Sequence, residues 1–520
     1  MLVADLLISA AERFPRKDAV VFGSEVLSFV DLDERSGQVA SRLRRLSIGP
    51  GHRVAIVSEN APAALVYYWG ILKTGAASVD IPCTAGRDLI ESIIEECRPE
   101  AIALSCRQRR RLSGERPIRG IPPIVLTDGP VAANSNCAAS VEILDEIVAN
   151  ERADNKPPDV AESDVAMILY TSGTAGRPKG VMLSHRNLIS NLQAANELLQ
   201  LRIDARLLLV VPFFFIHGRM QILMHAMIGA TIIVSQGFQF PRNVLRELIE
   251  HRVSSMSGVP YHFRMLLDRA DLKSAALPDL RDVLITGGTI PPDELQELST
   301  ALPGVDIHLA YGQTEASPRI TYLRPSDVLS KPGSCGTALP GVRIEIVNEQ
   351  GQPLPCDQIG EVVASGANVM LGYVSGDERE TGIIDDHGRL HTGDLGRMGS
   401  DDHLYLVGRR SEMIKTAGER VFPGEIEQVI NAHPAVAECA VLGIPDRVLG
   451  EMIVACVVPA AGASVGVDEI RQHCLDSLPF VRIPKHTRIV SHLPKTASGK
   501  IDRVALKREL AATCADMSPT

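Results

Sequence analysis

Residues 166–180 read Ala166-Met167-Ile168-Leu169-Tyr170-Thr171-Ser172-Gly173-Thr174-Ala175-Gly176-Arg177-Pro178-Lys179-Gly180. The opening apolar run reads as a buried strand and the residues after it as a polar loop. Glycines at 173, 176 and 180 let backbone amides approach a ligand, Thr171, Ser172 and Thr174 offer hydroxyls, and Lys179 adds a point charge. That combination suits a polyphosphate. A Gly/Ser/Thr loop alone also fits a linker; the strand before it and the lysine within it favour phosphate. Lys179 follows Pro178 rather than a glycine, so the loop is not of the GxxxxGK type.

Outward from this loop, short apolar runs alternate with stretches of helical period. A strand over 54–57 precedes a helix over 61–73, and a helix over 89–97 precedes a strand over 101–104. The pattern resumes with 231–234, 242–251, 283–285, 292–301 and 306–310. Such alternation predicts an α/β fold with mostly parallel sheets covered by helices, whose ligands bind beyond the carboxyl ends of the strands. Between 340 and 408 short alternating runs (342–347, 361–365, 404–407) predict a small antiparallel β unit. From 411 to 510 the pattern is compact α+β, with helices over 424–430 and 468–475 and strands over 436–442 and 453–458. Gly408-Arg409-Arg410-Ser411 marks the expected hinge.

The chain of 520 residues is long enough for three to four domains of about 150 residues. Its 45% hydrophobic and 22% charged residues exclude a disordered or fibrous protein. Lys plus Arg number 53 against 63 Asp plus Glu, a net charge of −10, which argues against a broad nucleic-acid surface. The basic run Arg107-Gln108-Arg109-Arg110-Arg111 reads as a solvated loop. Asp5 interrupts the first apolar stretch, and the apolar run 222–234 contains His225 and is too short for a bilayer. A soluble cytoplasmic protein with no integral membrane segment is expected. Ten scattered cysteines form no CxxC pair, which predicts reduced core thiols rather than zinc ligands or disulfides.

Further polar segments carry chemistry. In Ala310-Tyr311-Gly312-Gln313-Thr314-Glu315 a strand ends in an aromatic suited to a purine face, a hydroxyl suited to a phosphate and a carboxylate suited to Mg²⁺, although the spacing alone slightly favours a surface turn. His391-Thr392-Gly393-Asp394 and Gly408-Arg409 are each ordinary on their own. Leu493-Pro494-Lys495-Thr496-Ala497-Ser498-Gly499-Lys500-Ile501 places Lys500 on a glycine-flanked loop, as a mobile charge or a solvated side chain.

Together, in this order, these segments resemble the adenylate-forming superfamily of acyl-CoA synthetases, peptide-synthetase adenylation domains and luciferases. The likeness runs from Leu27-Ser28-Phe29 to Ser498-Gly499-Lys500. The resemblance implies a large N-terminal domain, 1–408, of two βαβ layers plus a small β-barrel (331–408). A hinge at 409–411 and a mobile α+β C-terminal lid, 412–520, would follow. It implies an AMP-forming acid-thiol ligase: a carboxylate attacks the α-phosphate of ATP to give acyl-AMP and pyrophosphate, and a thiol then displaces AMP. The thiol would be that of coenzyme A or of a carrier-protein phosphopantetheine arm.

Carried over residue by residue, the resemblance places Thr171, Ser172, Gly173, Thr174 and Lys179 around the β- and γ-phosphates. Gly288 and Thr289 would border the adenine, with Tyr311 stacked on it beside Gly312. Thr314 would touch the α-phosphate, Glu315 would hold Mg²⁺, and Asp394 and Arg409 would bind the ribose. Lys500 would bridge the attacking carboxylate and the α-phosphate in the first half-reaction. Gly287, Phe215 and His217 would line the acid pocket, Gly418 the thiol tunnel, and Ser411 would sit at the hinge. Catalytic roles thus fall on Lys500, Thr314 and Glu315.

The chain departs from the family at two of these positions. Phe215 replaces the family's frequent histidine, with His217 two positions on, and Ser411 replaces the usual hinge Asp or Lys. His217 reads as a gate or carboxylate contact, or as a packed histidine. No acid occurs over 213–222 to meet a substrate ammonium, so a fatty or aryl acid is expected rather than an amino acid. Arg219 reads as solvated, or as a partner for a second carboxylate. The rival readings are a loader of an acyl carrier protein and a non-catalytic nucleotide-binding relative.

Overall fold

The computed structural model describes residues 1–113, 118–129, 140–154, 156–171, 178–235, 237–375, 382–460, 462–495 and 501–514, with side chains as far as 510. They fall into two units. The first comprises Met1–Pro332, Gly336–Ile344 and Ala364–Leu390, the second Gly333–Cys335, Glu345–Val363 and His391–Thr520.

The first unit contains two mostly parallel sheets. In one, the strands run in the order Arg319–Leu323, Asp306–Gly312, Asp282–Thr286, Ser255–Gly258, Arg206–Leu209, Thr231–Val234, Asp18–Phe22 and Glu25–Ser28. The six between Arg319–Leu323 and Glu25–Ser28 are parallel, those two are antiparallel, and Arg319–Leu323 pairs on its other side with Ser334–Ala338. In the other, Gly372–Tyr373 and Lys179–Ser184 lie antiparallel at one end. Val165–Thr171, Ala77–Asp80, Arg53–Val57, Ala101–Leu104, Ile124–Thr127 and Ser140–Ile143 continue it in parallel. This is the α/β arrangement that the strand–helix alternation predicts.

One apolar cluster takes residues from both sheets and from the helix Pro62–Thr74. That helix buries nearly every residue, because it is apolar on all sides. Pro62 stands at its first turn and Gly75, at φ 85°, ends it. A Cβ on Gly75 would lie 2.9 Å from Pro158, so the close approach also calls for glycine. Truncating the buried Trp69 would cost about 3–5 kcal/mol.

The second unit holds the strands Leu390–Met398 and Leu404–Arg409, paired antiparallel, and a further sheet. That sheet takes Glu419–Val421, Ile414–Thr416, Gly450–Pro459 and Val436–Asp446, with His486–Ile489 parallel to Gly450–Pro459. Its alternating residues feed two cores: Val441 and Ile453 meet Ile426, Ile430 and Ile470, whereas Leu442 and Val454 meet Leu506 and Leu510.

The basic run at 107–111 is not a loop. It lies in the helix Cys106–Leu112, whose cap Ser105 accepts a hydrogen bond from the Gln108 amide at 3.1 Å. Burial of Gln108 and Leu112 fixes one face of that helix and leaves arginines on the other. Among the described residues the cysteines are free, with Cys97, Cys439, Cys456 and Cys474 buried. No described helix is long and apolar enough to cross a membrane.

Candidate active site

The strand Val165–Thr171 leaves its sheet at Thr171, and the chain returns as Lys179–Ser184, antiparallel, with Thr171 opposite Lys179. The residues that flank the Gly/Ser/Thr-rich segment are therefore neighbours. Ser172, Gly173 and Thr174 lie outside the described residues, as does Lys500. The Lys179 ammonium sits 4.9 Å from the centre of the Tyr373 ring, a cation–π contact. The Tyr373 hydroxyl in turn donates to Glu315 Oε1 at 2.9 Å.

Tyr373 had no signature in the sequence. It reaches this place because Gly372–Tyr373 pairs with Met182 and Val181 on the returning strand, a contact across nearly two hundred residues.

Glu315 owes its position to the end of the strand Asp306–Gly312. The pairing with Arg319–Leu323 shifts register between Tyr311 and Gly312, so the chain bulges there and enters the single turn Thr314–Ala316. A Cβ on Gly312 would lie 1.8 Å from the Pro318 carbonyl oxygen, an approach that only glycine allows.

Buried amides pin the turn. Asn191 and Asn368 donate to the carbonyls of Ala316 (3.3 and 2.9 Å) and Arg319 (2.8 and 3.3 Å). Asn187 holds the carbonyls of Ala367 and Val369 at 2.8 and 2.7 Å, and the Met370 amide donates to the Glu315 carbonyl at 2.9 Å. No local pattern marks these asparagines, whose partners lie far along the chain.

The strand Asp282–Thr286 runs parallel beside Asp306–Gly312, with Thr286 opposite Ala310. Gly287 follows at φ 84°, then Gly288 and Thr289. Thus Gly287, Gly288, Thr289, Tyr311 and Gly312 gather at the carboxyl ends of adjacent parallel strands, the usual ligand-binding edge.

Next along the same sheet, Ser257 faces the helix Ile216–Ile228. His217 Nε2 and Ser257 Oγ share a hydrogen bond of 2.6 Å, and Gln221 Nε2 donates to the same oxygen at 3.0 Å. Burial, with the charge of Arg319 nearby, pushes the His217 pKa down to about 3. It is therefore a neutral group at physiological pH. Phe213 and Phe214 are buried, and Phe215, the residue before the helix, is partly open, its ring centre 4.6 Å from that of Phe214.

Arg219 is neither solvated nor open to a substrate. It is 1% exposed, its Nε donates to Asp80 Oδ2 at 2.9 Å, a second nitrogen bonds Asp80 Oδ1, and its guanidinium lies 4.0 Å over Tyr68. Paired carboxylate and ring together hold a charge that the apolar helix would otherwise expel.

In the second unit, Asp394 and Arg409 face each other across paired strands, with Arg409 Nε 2.9 Å from Asp394 Oδ1. The Asp394 amide donates to Thr392 Oγ1 at 3.1 Å, and Thr392 donates to the Val362 carbonyl at 2.7 Å, so the carboxylate is held on a fixed backbone. Ser411 lies in the single turn Arg410–Glu412, which follows directly. Gly418, at φ 82°, and Ala417, at φ 50°, form the two-residue turn between Ile414–Thr416 and Glu419–Val421. That hairpin geometry accounts for the glycine by itself.

Among the described residues no three His, Cys, Asp or Glu side chains cluster as a metal site. Mg²⁺ bound through one carboxylate and substrate phosphate oxygens requires no such cluster, and Glu315 fits that chemistry.

The family described as AMP-binding enzyme matches residues 7–374, and the AMP-binding enzyme C-terminal domain matches 425–500. The chain is 31% identical to a feruloyl-CoA synthase of Amycolatopsis sp, over 96% of this chain and 97% of that one. It is 30% identical to 4-coumarate-CoA ligase 1 of Narcissus pseudonarcissus, over 95% and 90%. The ATP-bound structure of MatB from Rhodopseudomonas palustris superimposes with a TM-score of 0.88 at 28% identity, covering 98% of this chain and 99% of that one. The chain therefore belongs to the AMP-binding enzyme family, the adenylate-forming superfamily its motifs resemble, and to its class of ATP-dependent, AMP-forming acyl-CoA ligases.

Proposed function

We propose that the substrate is a carboxylic acid with an apolar body, fatty or aryl, activated as its adenylate and transferred to coenzyme A. The observation that carries this reading is the contact series from Lys179 through Tyr373 to Glu315, which ties the end of the phosphate loop to the carboxylate after Thr314. The relatives named for feruloyl and 4-coumarate acyl groups support an aryl acid. The phenylalanines at 213–215 and the lack of any acid over 213–222 support a pocket wall without negative charge. A buried substrate ammonium would find no counter-charge there.

In the first half-reaction a carboxylate oxygen attacks the α-phosphorus, the bond to the β-phosphate breaks and pyrophosphate leaves. In the second, the thiolate sulfur attacks the acyl carbon and AMP departs with the carbon–oxygen electron pair. Both partners of the first step are anions, so the residues act chiefly by positioning and charge compensation. Thr171 and Lys179 hold the outer phosphates and Thr314 the α-phosphate, and Lys500 is assigned to charge compensation between that phosphate and the acid. Gly288 and Thr289 border the adenine and Tyr311 stacks on it. Asp394 accepts hydrogen bonds from the ribose hydroxyls, with Arg409 beside it. Glu315 would hold Mg²⁺, which neutralises phosphate charge when bound.

His217, Gly287 and Phe215 line the acid, with His217 serving as a neutral polar contact. Ser411 serves as the pivot between half-reactions, and Gly418 keeps the thiol path open. The test is acid-dependent pyrophosphate release across fatty, aryl, dicarboxylic and amino acids, each with and without coenzyme A. A thioester formed with apolar acids is expected. Activation of amino acids alone would refute the reading, and adenylation without a coenzyme A thioester would transfer the role to a carrier protein.

A further inference from the structure

The first unit contains a second buried arginine, and unlike Arg219 this one has no counter-charge among the described residues. Arg319 opens the strand Arg319–Leu323, directly across from Gly312 at the bulge. It is 4% exposed, its Nη1 has no hydrogen-bond partner among the described residues, and no described carboxylate forms an ion pair with it. Its backbone carbonyl is clamped by Asn191 and Asn368, so the side chain departs from a fixed point.

Its neighbourhood is marked by the residues that feel its charge. Those residues are His217 and His225, whose affinity for protons Arg319 lowers. His217, Gln221 and His225 are spaced four apart and share one face of the helix Ile216–Ile228. The guanidinium therefore lies within electrostatic range of that face, on a strand that begins opposite Gly312, at the bulge leading to Thr314 and Glu315. Neither histidine supplies negative charge. Burial alone lowers the Arg319 pKa, to about 10, with no carboxylate acting to raise it again.

A buried, prepositioned cation without an anion is an incomplete ion pair. We propose that Arg319 is a specificity-determining residue of the acid pocket, and that the acid carries a second carboxylate, remote from the reacting one, which pairs with this guanidinium. The inference rests on the acyl-CoA ligase reading above and narrows it to dicarboxylic acids with an apolar middle. A planar guanidinium matches a carboxylate through two parallel hydrogen bonds, which a neutral ester or amide accepts poorly.

The experiment compares aliphatic and aryl diacids of graded length with their half-methyl esters, by pyrophosphate release in the wild type and in Arg319→Met. In the wild type the best diacid should exceed its half-ester by about 100-fold in kcat/KM, as expected when one partner of a buried hydrogen-bonded charge pair is lost. In Arg319→Met that ratio should fall to about one. Equal use of diacids and half-esters by the wild type would overturn the inference while leaving the ligase reading intact. Calorimetry on the wild type, with AMP present, covers the case in which the variant does not fold: diacid binding without half-ester binding supports the site, and equal binding overturns it. Diacid binding with no turnover of any acid would refute the ligase reading alone, and neither binding nor turnover would refute both.

Discussion

Replacing Tyr373 with phenylalanine separates two contacts that meet on one ring. The ring remains, so Lys179 keeps its cation–π partner at 4.9 Å; the hydroxyl goes, and with it the 2.9 Å hydrogen bond to Glu315. Hydrogen bonds to ionised groups are worth roughly 1.5–3 kcal/mol, and the partly open Glu315 belongs at the low end. A loss of about 1.5 kcal/mol corresponds to about tenfold. Because the bond positions a carboxylate assigned to Mg²⁺, the loss should appear in the Mg²⁺ dependence of acid-driven pyrophosphate release. The half-saturating Mg²⁺ concentration should rise about tenfold, with the KM for the acid nearly unchanged. An unaltered Mg²⁺ dependence, or a lower melting temperature without any Mg²⁺ effect, would refute the positioning role.

Gly312→Ala forces a Cβ to within 1.8 Å of the Pro318 carbonyl, so it should displace the bulge that sets Thr314 and Glu315. Adenylation falling by less than about tenfold would show that the site tolerates the shift. Lys500→Ala should abolish acyl-adenylate formation while sparing thioester formation from supplied acyl-AMP; equal loss of both contradicts a role confined to the first half-reaction.

His225 is fully buried with its pKa pushed down to about 4. The unfolded chain, with histidine near 6.5, binds the extra proton between those values, so stability is lost as pH falls from about 6.5 to 4. At pH 5 this amounts to about 2 kcal/mol, and His225→Leu should narrow the difference in melting temperature between pH 7.5 and 5. An unchanged difference would show that other groups set it.

What the sequence made legible was local. Strand–helix alternation specified the parallel sheets because periodicity is a property of neighbouring residues, and the end of the phosphate loop and the Tyr311–Glu315 segment stood out as compact polar runs after strands. What it concealed depends on distance in the chain. Tyr373 reaches Glu315 through a two-residue strand, and of the asparagines that pin the turn Asn191 acts on carbonyls 125 and 128 residues away and Asn368 on the same two 52 and 49 residues away. Asp80 and Arg219 meet across 139 positions, so a charge that looked solvated is buried. Arg319 has no motif at all; only its depth and the lack of a counter-charge among the described residues distinguish it. Gly418 illustrates the converse, a glycine with a proposed functional role whose backbone angle already requires it.

The most direct test of the account is ATP–pyrophosphate exchange measured with the purified chain, an accepted acid and Mg²⁺, in the absence of coenzyme A. The account predicts exchange that depends on the acid and proceeds without the thiol, because the adenylate forms reversibly before the thiol enters. Exchange that ignores the acid, or turnover yielding ADP and phosphate instead of AMP and pyrophosphate, would contradict it.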